Sequence, residues 1–394
     1  MSTVHARVWR FTVEKGSAGA EAVQAVEVGQ GPLPVSLAAL VNINALACDL
    51  RRTIDQRVRN HEISLLLSYL TGDVGAGLLG VDCGALDSSS LHIRRFVSEC
   101  TGLGVMTAAS ETLFDWKSGV NGLSSFDVLP DKLVGVYGKS GVRPDLLYDL
   151  AAGPVAGEAR GRRRDAEPML PVAKGTAAQR RRLEKLATWS AEHGGHDYFM
   201  SWVWLGTGGV YVDIFLPEDS PAMAGLKTGW IEKPGSQQPW HFRVPRPDPR
   251  RPVQLDSEGD IDQPLLLRKR GADAQDGMAG EEASPADRAR RMIEGAMDRA
   301  FEQSRMDEVG KLDGVPVCGT WIRAEAAGSA RHKVLVGVLG EHVQVDLRAQ
   351  RRRMAAESGN RLDLFLEGRL LTVVHPVGER LPSWRRIAEE AVGR

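Results

Sequence analysis

Cysteine is scarce and scattered in this sequence. The four cysteines, Cys48, Cys83, Cys100 and Cys318, form no CxxC pair and no zinc-finger spacing, so neither a disulfide framework nor a structural zinc site is written into the chain. They read as reduced thiols and point to a cytoplasmic location. The opening stretch MSTVHARVWRFTVEKG lacks an apolar signal-peptide core, and no run of about 18 uncharged apolar residues occurs. Both absences argue against secretion and membrane insertion. A Gly-x-Ser-x-Gly elbow is also missing, which leaves serine-hydrolase chemistry without support. GVYGKSG, from Gly135 to Gly141, ends like a phosphate-binding loop, but Leu133 and Val134 occupy the region where its first glycine belongs. His193 and His196 in HGGH are two imidazoles on flexible glycines without a nearby third ligand, and they read as a loop after a helix.

A charge of one sign is lacking overall. The formal net charge is only -1, yet arginines gather at 160–164, 180–182 and 351–353. These local clusters favour an anionic partner that the global balance would hide.

What is present suffices for real cores, since 394 residues with a hydrophobic share of 42% can fill two or three domains. The pattern divides into a small α/β unit at 1–86, a core at 87–216, a Pro/Gly-rich linker or long loops at 217–285, and an α+β unit at 286–394. ARVWRFTVEK reads as a strand, and SLAALVNINALACDLRRTIDQRVRNHEISLLLSYLTG has helical spacing. A long helix begins near Asp87 to Ser90, capping residue types, with Gly102 and Gly104 expected to kink or divide it. KLVGVYG, RPDLLYDL, GPVAGEAR, YFMSWVWLG and GVYVDIFL have strand character, and TAAQRRRLEKLATWSAEH between the third and fourth reads as a helix. The fold class expected is α/β, a central mixed β-sheet flanked by helices.

Within the core, RPDLLYDLAAGPVAGEAR would form a hairpin. Strand alternation then turns Glu158 and Arg160 to one face, with Ala159 to the other, and Asp145 reaches the same edge. Carboxylates that hold Mg²⁺ against a phosphate, with a cation beside them, are what metal-dependent phosphodiester cleavage needs. The alternative is plain: Asp145 caps a turn and Glu158 pairs with arginines on a solvated strand end.

At these residues the stretch resembles the PD-(D/E)XK nuclease superfamily, with Pro144-Asp145 standing for its PD element and Glu158-Ala159-Arg160 for its (D/E)XK element. The order of helix, three strands, helix and strand across roughly a third of the chain is similar too. The resemblance implies a restriction-endonuclease-like core and a Mg²⁺- or Mn²⁺-dependent nuclease acting on nucleic acid, DNA ahead of RNA, in a setting such as restriction or defence. It implies Asp145 and Glu158 as metal ligands, and a further acid from the first core helix, for which Glu111 is the candidate and Glu99 the second choice. Gln179 matches the polar residue that the helix after the third strand often adds. Arg160 stands where the family has Lys; a guanidinium stabilises phosphate charge but is a poor proton carrier, and Lys174 is a weaker candidate for that role. Arg162, Arg163 and Arg164, with Arg180, Arg181 and Arg182, would flank the site and neutralise backbone phosphates. The competing expectation is a nuclease-like scaffold without catalysis that binds nucleic acid or a protein partner in a multi-subunit system.

Overall fold

The computed structural model describes residues 2–15, 21–47, 56–71, 77–114, 116–117, 121–126, 142–150, 153–163, 177–220, 240–241, 291, 294–295, 298, 307–326, 329–343 and 362–392. The first strand is already apolar on both faces. In β1 (Ser2–Lys15) Val4, Ala6 and Val8 are buried on one side while Trp9 and Phe11 are buried on the other. Such a strand belongs inside a sheet that is covered on both sides. β1 pairs antiparallel with β2 (Glu21–Val35) and, on its other edge, parallel with β9 (Gly209–Pro217).

β1 and β2 thereby join β5 (Leu123–Ser125), β6 (Leu146–Leu150), β7 (Gly153–Arg163), β8 (Tyr198–Gly206) and the two-residue β10 (Trp240–His241) in one sheet ordered β10-β2-β1-β9-β8-β7-β6-β5. The boundary expected near residue 86 is therefore not a boundary of the sheet: β1 closes the edge that β9 would otherwise leave open. The β2 segment, to which the sequence pattern above assigns no element, is a strand. β7 and β8 are parallel and the β5, β6 and β7 neighbours antiparallel. A short pair, β3 (Leu70–Thr71) and β4 (Gly80–Val81), lies apart. KLVGVYG, most of the linker, Arg164 and Lys174 lie outside the described residues.

Helices cover both faces. α1 (Leu37–Ala47), α2 (Gln56–Tyr69), the short α3 (Cys83–Ser88) and α4 (Leu91–Leu113) lie on one side, and α5 (Ala177–Glu192) supplies the crossover between the parallel β7 and β8 on the other. Gly102 and Gly104 do not divide α4, which runs unbroken from its Ser90 cap. They are there for contact. A Cβ on Gly104 would sit 2.2 Å from Leu40 Cδ2, and one on Gly102 would meet the Arg160–Gly161 backbone at 3.2 Å. Gly161 is tighter still, its Cβ falling 1.7 Å from the carbonyl oxygen of Ser98. Only glycine lets α4 and β7 approach this closely.

β11 (Glu308–Leu312), β12 (Val315–Ala326), β13 (Ser329–Leu339), β14 (Asp363–Glu367) and β15 (Leu370–Pro376) form a second, antiparallel sheet ordered β11-β12-β13-β15-β14. Ile322, Val334, Val336 and Phe365 face α1 and α2, and Val317, Leu335, Leu371 and Val373 face the closing helix α6 (Trp384–Val392). α1 thus serves two sheets at once. The described residues include no helix long and apolar enough to cross a membrane.

Candidate active site

β7 carries the site from inside the sheet, antiparallel to β6 on one edge and parallel to β8 on the other. Alternation sends Val155, Gly157, Ala159 and Gly161 toward α4, and Ala156, Glu158, Arg160 and Arg162 toward α5. Glu158 is fully buried there. Its Oε1 accepts from Arg160 Nη2 at 2.7 Å and from Arg182 Nη2 at 2.6 Å and Nε at 2.7 Å. Its Oε2 is buried and has no hydrogen-bond partner among the described residues. One carboxylate oxygen is saturated by cations, and the other is available.

Asp145 stands at the mouth of β6 beside Glu158. Its N–H donates to Gly157 O at 2.9 Å and its Oδ2 accepts from the Ala159 N–H at 2.7 Å, so the residue grips the β7 backbone immediately before and immediately after Glu158. Part of Asp145 reaches the surface, but its carboxyl group is desolvated. That desolvation, reinforced by the nearby Glu158 charge, raises its pKa to about 7 against the opposing pull of Arg160, the Ala159 N–H and Arg182. Near neutrality the site therefore exchanges a proton at Asp145 and holds two arginines on Glu158.

α5 completes the arrangement. Gln179 is fully buried in its first turns, one turn before Arg182 and so on the same helix face. Arg182, which in the sequence belongs to a cluster expected to flank phosphates, is instead built into the centre. No local signal announces this, since only the crossover brings α5 over Glu158.

The other expected site residues divide. Glu111 and Glu99 belong to α4, which packs on the opposite face of the sheet. Glu99 pairs with Arg95 at 3.2 Å along its own helix, and the Glu111 charge is felt at Tyr148, whose side chain points to the α4 side. Among the described residues no three His, Cys, Asp or Glu side chains converge as metal ligands. Glu111 therefore does not complete a three-acid set with Asp145 and Glu158, because a helix pattern does not say which face of a sheet the helix will cover. Arg163 is likewise turned away. It makes two bonds to Asp87, at 2.6 and 2.9 Å, and one to Leu205 O, which removes it from the phosphate-binding set. Arg180 forms an ion pair with Glu184 at 3.3 Å, Arg181 is exposed, and Arg162 lies over the Trp202 ring at 5.5 Å.

A second buried acid escaped the sequence reading. Asp213 on β9 is fully buried and accepts from Trp9 Nε1 at 2.9 Å, Trp204 Nε1 at 2.8 Å, and Arg7 Nε and Nη2 at 2.8 and 3.1 Å. The signal was a single carboxylate inside the otherwise apolar VYVDIFL, where a charge is retained only if it is paired.

No protein-family model, no curated protein and no solved structure matches this chain.

Proposed function

We propose that the chain is a metal-dependent nuclease of the PD-(D/E)XK kind, with a restriction-endonuclease-like core and DNA as the favoured substrate. The observation that carries this reading is the grip of Asp145 on the β7 backbone at either side of Glu158, which sets both acids of the motif at one place. The connectivity supports it: α4, the antiparallel β5, β6 and β7, then α5 and the parallel β8. Asp145 and the buried, unpaired Glu158 Oε2 fit the protein's share of a Mg²⁺ or Mn²⁺ site, since Mg²⁺ takes one or two carboxylates and fills its remaining positions with water and phosphate oxygens. A metal held there supplies charge stabilisation at the phosphate and lowers the pKa of a bound water.

The chain's own residues do the rest. Arg160 and Arg182 orient Glu158 through Oε1 so that Oε2 keeps a fixed direction. Arg160, partly exposed where Lys is expected, presents guanidinium N–H groups to an anionic phosphate. Asp145 sheds its proton as the pH passes about 7 and then adds the second negative charge.

A second reading is a nuclease-like scaffold that binds nucleic acid or a protein partner without cutting. The two arginines on Glu158 Oε1 favour it, because they already offset the charge a metal would use. Cleavage assays with plasmid, single-stranded DNA and RNA in Mg²⁺ or Mn²⁺ separate the two. The nuclease reading expects products that vanish in Asp145→Asn and Glu158→Gln; equal cutting by both variants, or no cutting by the wild type, overturns it.

A further inference from the structure

The face of the sheet that carries Glu158 is organised in rows by strand register. Glu158, Met200, Phe215 and Trp9 are successive cross-strand neighbours on β7, β8, β9 and β1. Met200, Phe215 and Trp9 lie in the core shared with Leu183, Leu186 and Trp189 of α5. The next row is Arg160, Trp202, Asp213 and Arg7, and the one after it Arg162, Trp204, Tyr211 and His5. Burial declines along this order. Met200 and Phe215 are fully buried, Trp202 nearly so, Arg162, Trp204 and Tyr211 are half-buried, and His5 is exposed.

The outer row combines the flat rings of Trp204 and Tyr211 with Arg162 at one end, its guanidinium over the Trp202 ring, and the exposed His5 imidazole at the other. Trp204 cannot swing freely, because its indole N–H is fixed on the buried Asp213, which also holds Trp9 and Arg7. Tyr211 is held by its hydroxyl on Gly208 O and by stacking on His5, with ring centroids 5.5 Å apart and planes 14° from parallel. Arg162 closes the other end, two residues beyond Arg160 on the same strand face. With strands spaced about 4.8 Å apart, the row spans about 14 Å. Preset rings beside guanidinium groups are the means by which single-stranded nucleic acid is held, its bases stacked and its phosphates neutralised. A duplex hides its base faces and has no use for the rings.

From this geometry we infer that Arg162, Trp204, Tyr211 and His5 form a track for single-stranded nucleic acid that leads across the sheet to Arg160 and Glu158. The inference rests on the nuclease-like reading of that site only for its destination; the binding it describes needs neither metal nor cleavage. Asp213 is a positioning residue that fixes Trp204 and Arg7.

The test is fluorescence anisotropy with a dye-labelled oligothymidylate of about 15 nucleotides, longer than the row and within the site sizes known for single-strand-binding folds, measured on the full chain in EDTA. The wild type is expected to bind the single strand more tightly than a hairpin duplex, with affinity falling as salt rises. Tyr211→Ala and Arg162→Gln should each weaken binding about tenfold, Trp204→Ala by more, and Trp204→Phe, which keeps a ring, by less. Circular dichroism establishes that each variant is folded. Wild-type affinity in folded Tyr211→Ala and Arg162→Gln, duplex binding as tight as single-strand binding, or no binding to either overturns the track. Cleavage is scored separately. Metal-dependent cutting without row-dependent binding leaves the nuclease reading and removes the track, whereas row-dependent binding without cutting does the reverse.

Discussion

Arg182 donates twice to Glu158 Oε1, through Nε at 2.7 Å and Nη2 at 2.6 Å, and so ties α5 to the strand across 24 residues of chain. Arg160 shares the same oxygen. A buried carboxylate is tolerated here because two guanidinium groups replace the water it lost.

Removing that carboxylate leaves both arginines without it. Glu158→Ala is expected to lower stability by about 3 kcal/mol, the cost of breaking a buried ion pair from one side. Urea unfolding of the purified variant measures this independently of any activity. A loss below about 0.5 kcal/mol would place Glu158 among ordinary surface charges.

Asp145 gives the fold a pH dependence whose sign follows from its neutral form. Its folded pKa of about 7 lies above the value near 3.9 of an unfolded aspartate, so the native state binds the extra proton between these values. Its contribution to stability is therefore full below about pH 4 and is lost as the pH rises through about 7. Asp145→Asn keeps an oxygen for the Ala159 N–H but cannot ionise. Denaturation midpoints across this window should fall less steeply with pH in the variant, and above pH 7 it should be the more stable protein. Mn²⁺ affinity, where Asp145 is a ligand, should rise with pH over the same range and be accompanied by proton release.

Gly161 tests the contact between α4 and β7. An alanine there would bring its Cβ to 1.7 Å from Ser98 O and 2.4 Å from Ser98 C, both backbone atoms that cannot rotate away. Gly161→Ala is expected to cost about 1–3 kcal/mol by forcing the helix off the strand. Because Gly161 adjoins Arg160, the same change should also impair whatever Glu158 and Arg160 do. Tm and oligonucleotide binding measured on one preparation check both effects.

Asp363 links the two sheets. Its carboxylate accepts from Ser36 Oγ, from Leu37 N at 2.9 Å and from Ala38 N at 3.3 Å, capping the N-terminus of α1 from β14, more than three hundred residues away in sequence. Burial raises its pKa, while the Ser36 hydroxyl and the two N–H groups oppose the rise. Asp363→Ala should cost about 1–2 kcal/mol, the range of a lost helix cap. Hydrogen exchange should quicken first in α1, whose Asn42 also donates to Leu370 O and Thr372 Oγ1 of the second sheet.

Strand alternation makes much of the central motif legible in the sequence. Glu158 and Arg160 share a face because they are two residues apart in an extended segment, and Asp145 lies across a short hairpin from them. The strands from Leu146 to Pro217 and the intervening helix follow from apolar period and composition alone. Gly102 and Gly104 were misleading for a physical reason. Glycine weakens an isolated helix, and here the tight contact with β7 and Leu40 outweighs that cost.

Local pattern could not choose among faces and partners. Whether Glu111 or Arg182 meets Glu158 depends on which side of the sheet each helix covers, and both helices have the apolar stripe needed for either side. The union of β1 and β2 with the central sheet depends on the parallel pairing of β1 with β9, a contact between segments about 200 residues apart. Asp213, Trp204, Trp9 and Arg7 come together through that pairing and the β8–β9 hairpin, so their cluster has no signature in any one segment. The chain's order of elements and its acidic pair were encoded locally, by periodicity of two and 3.6 residues. The cations that hold the pair, the face on which it lies and the row of rings beside it arise from long-range packing, because burial and ion pairing act between surfaces that only the completed fold brings into contact.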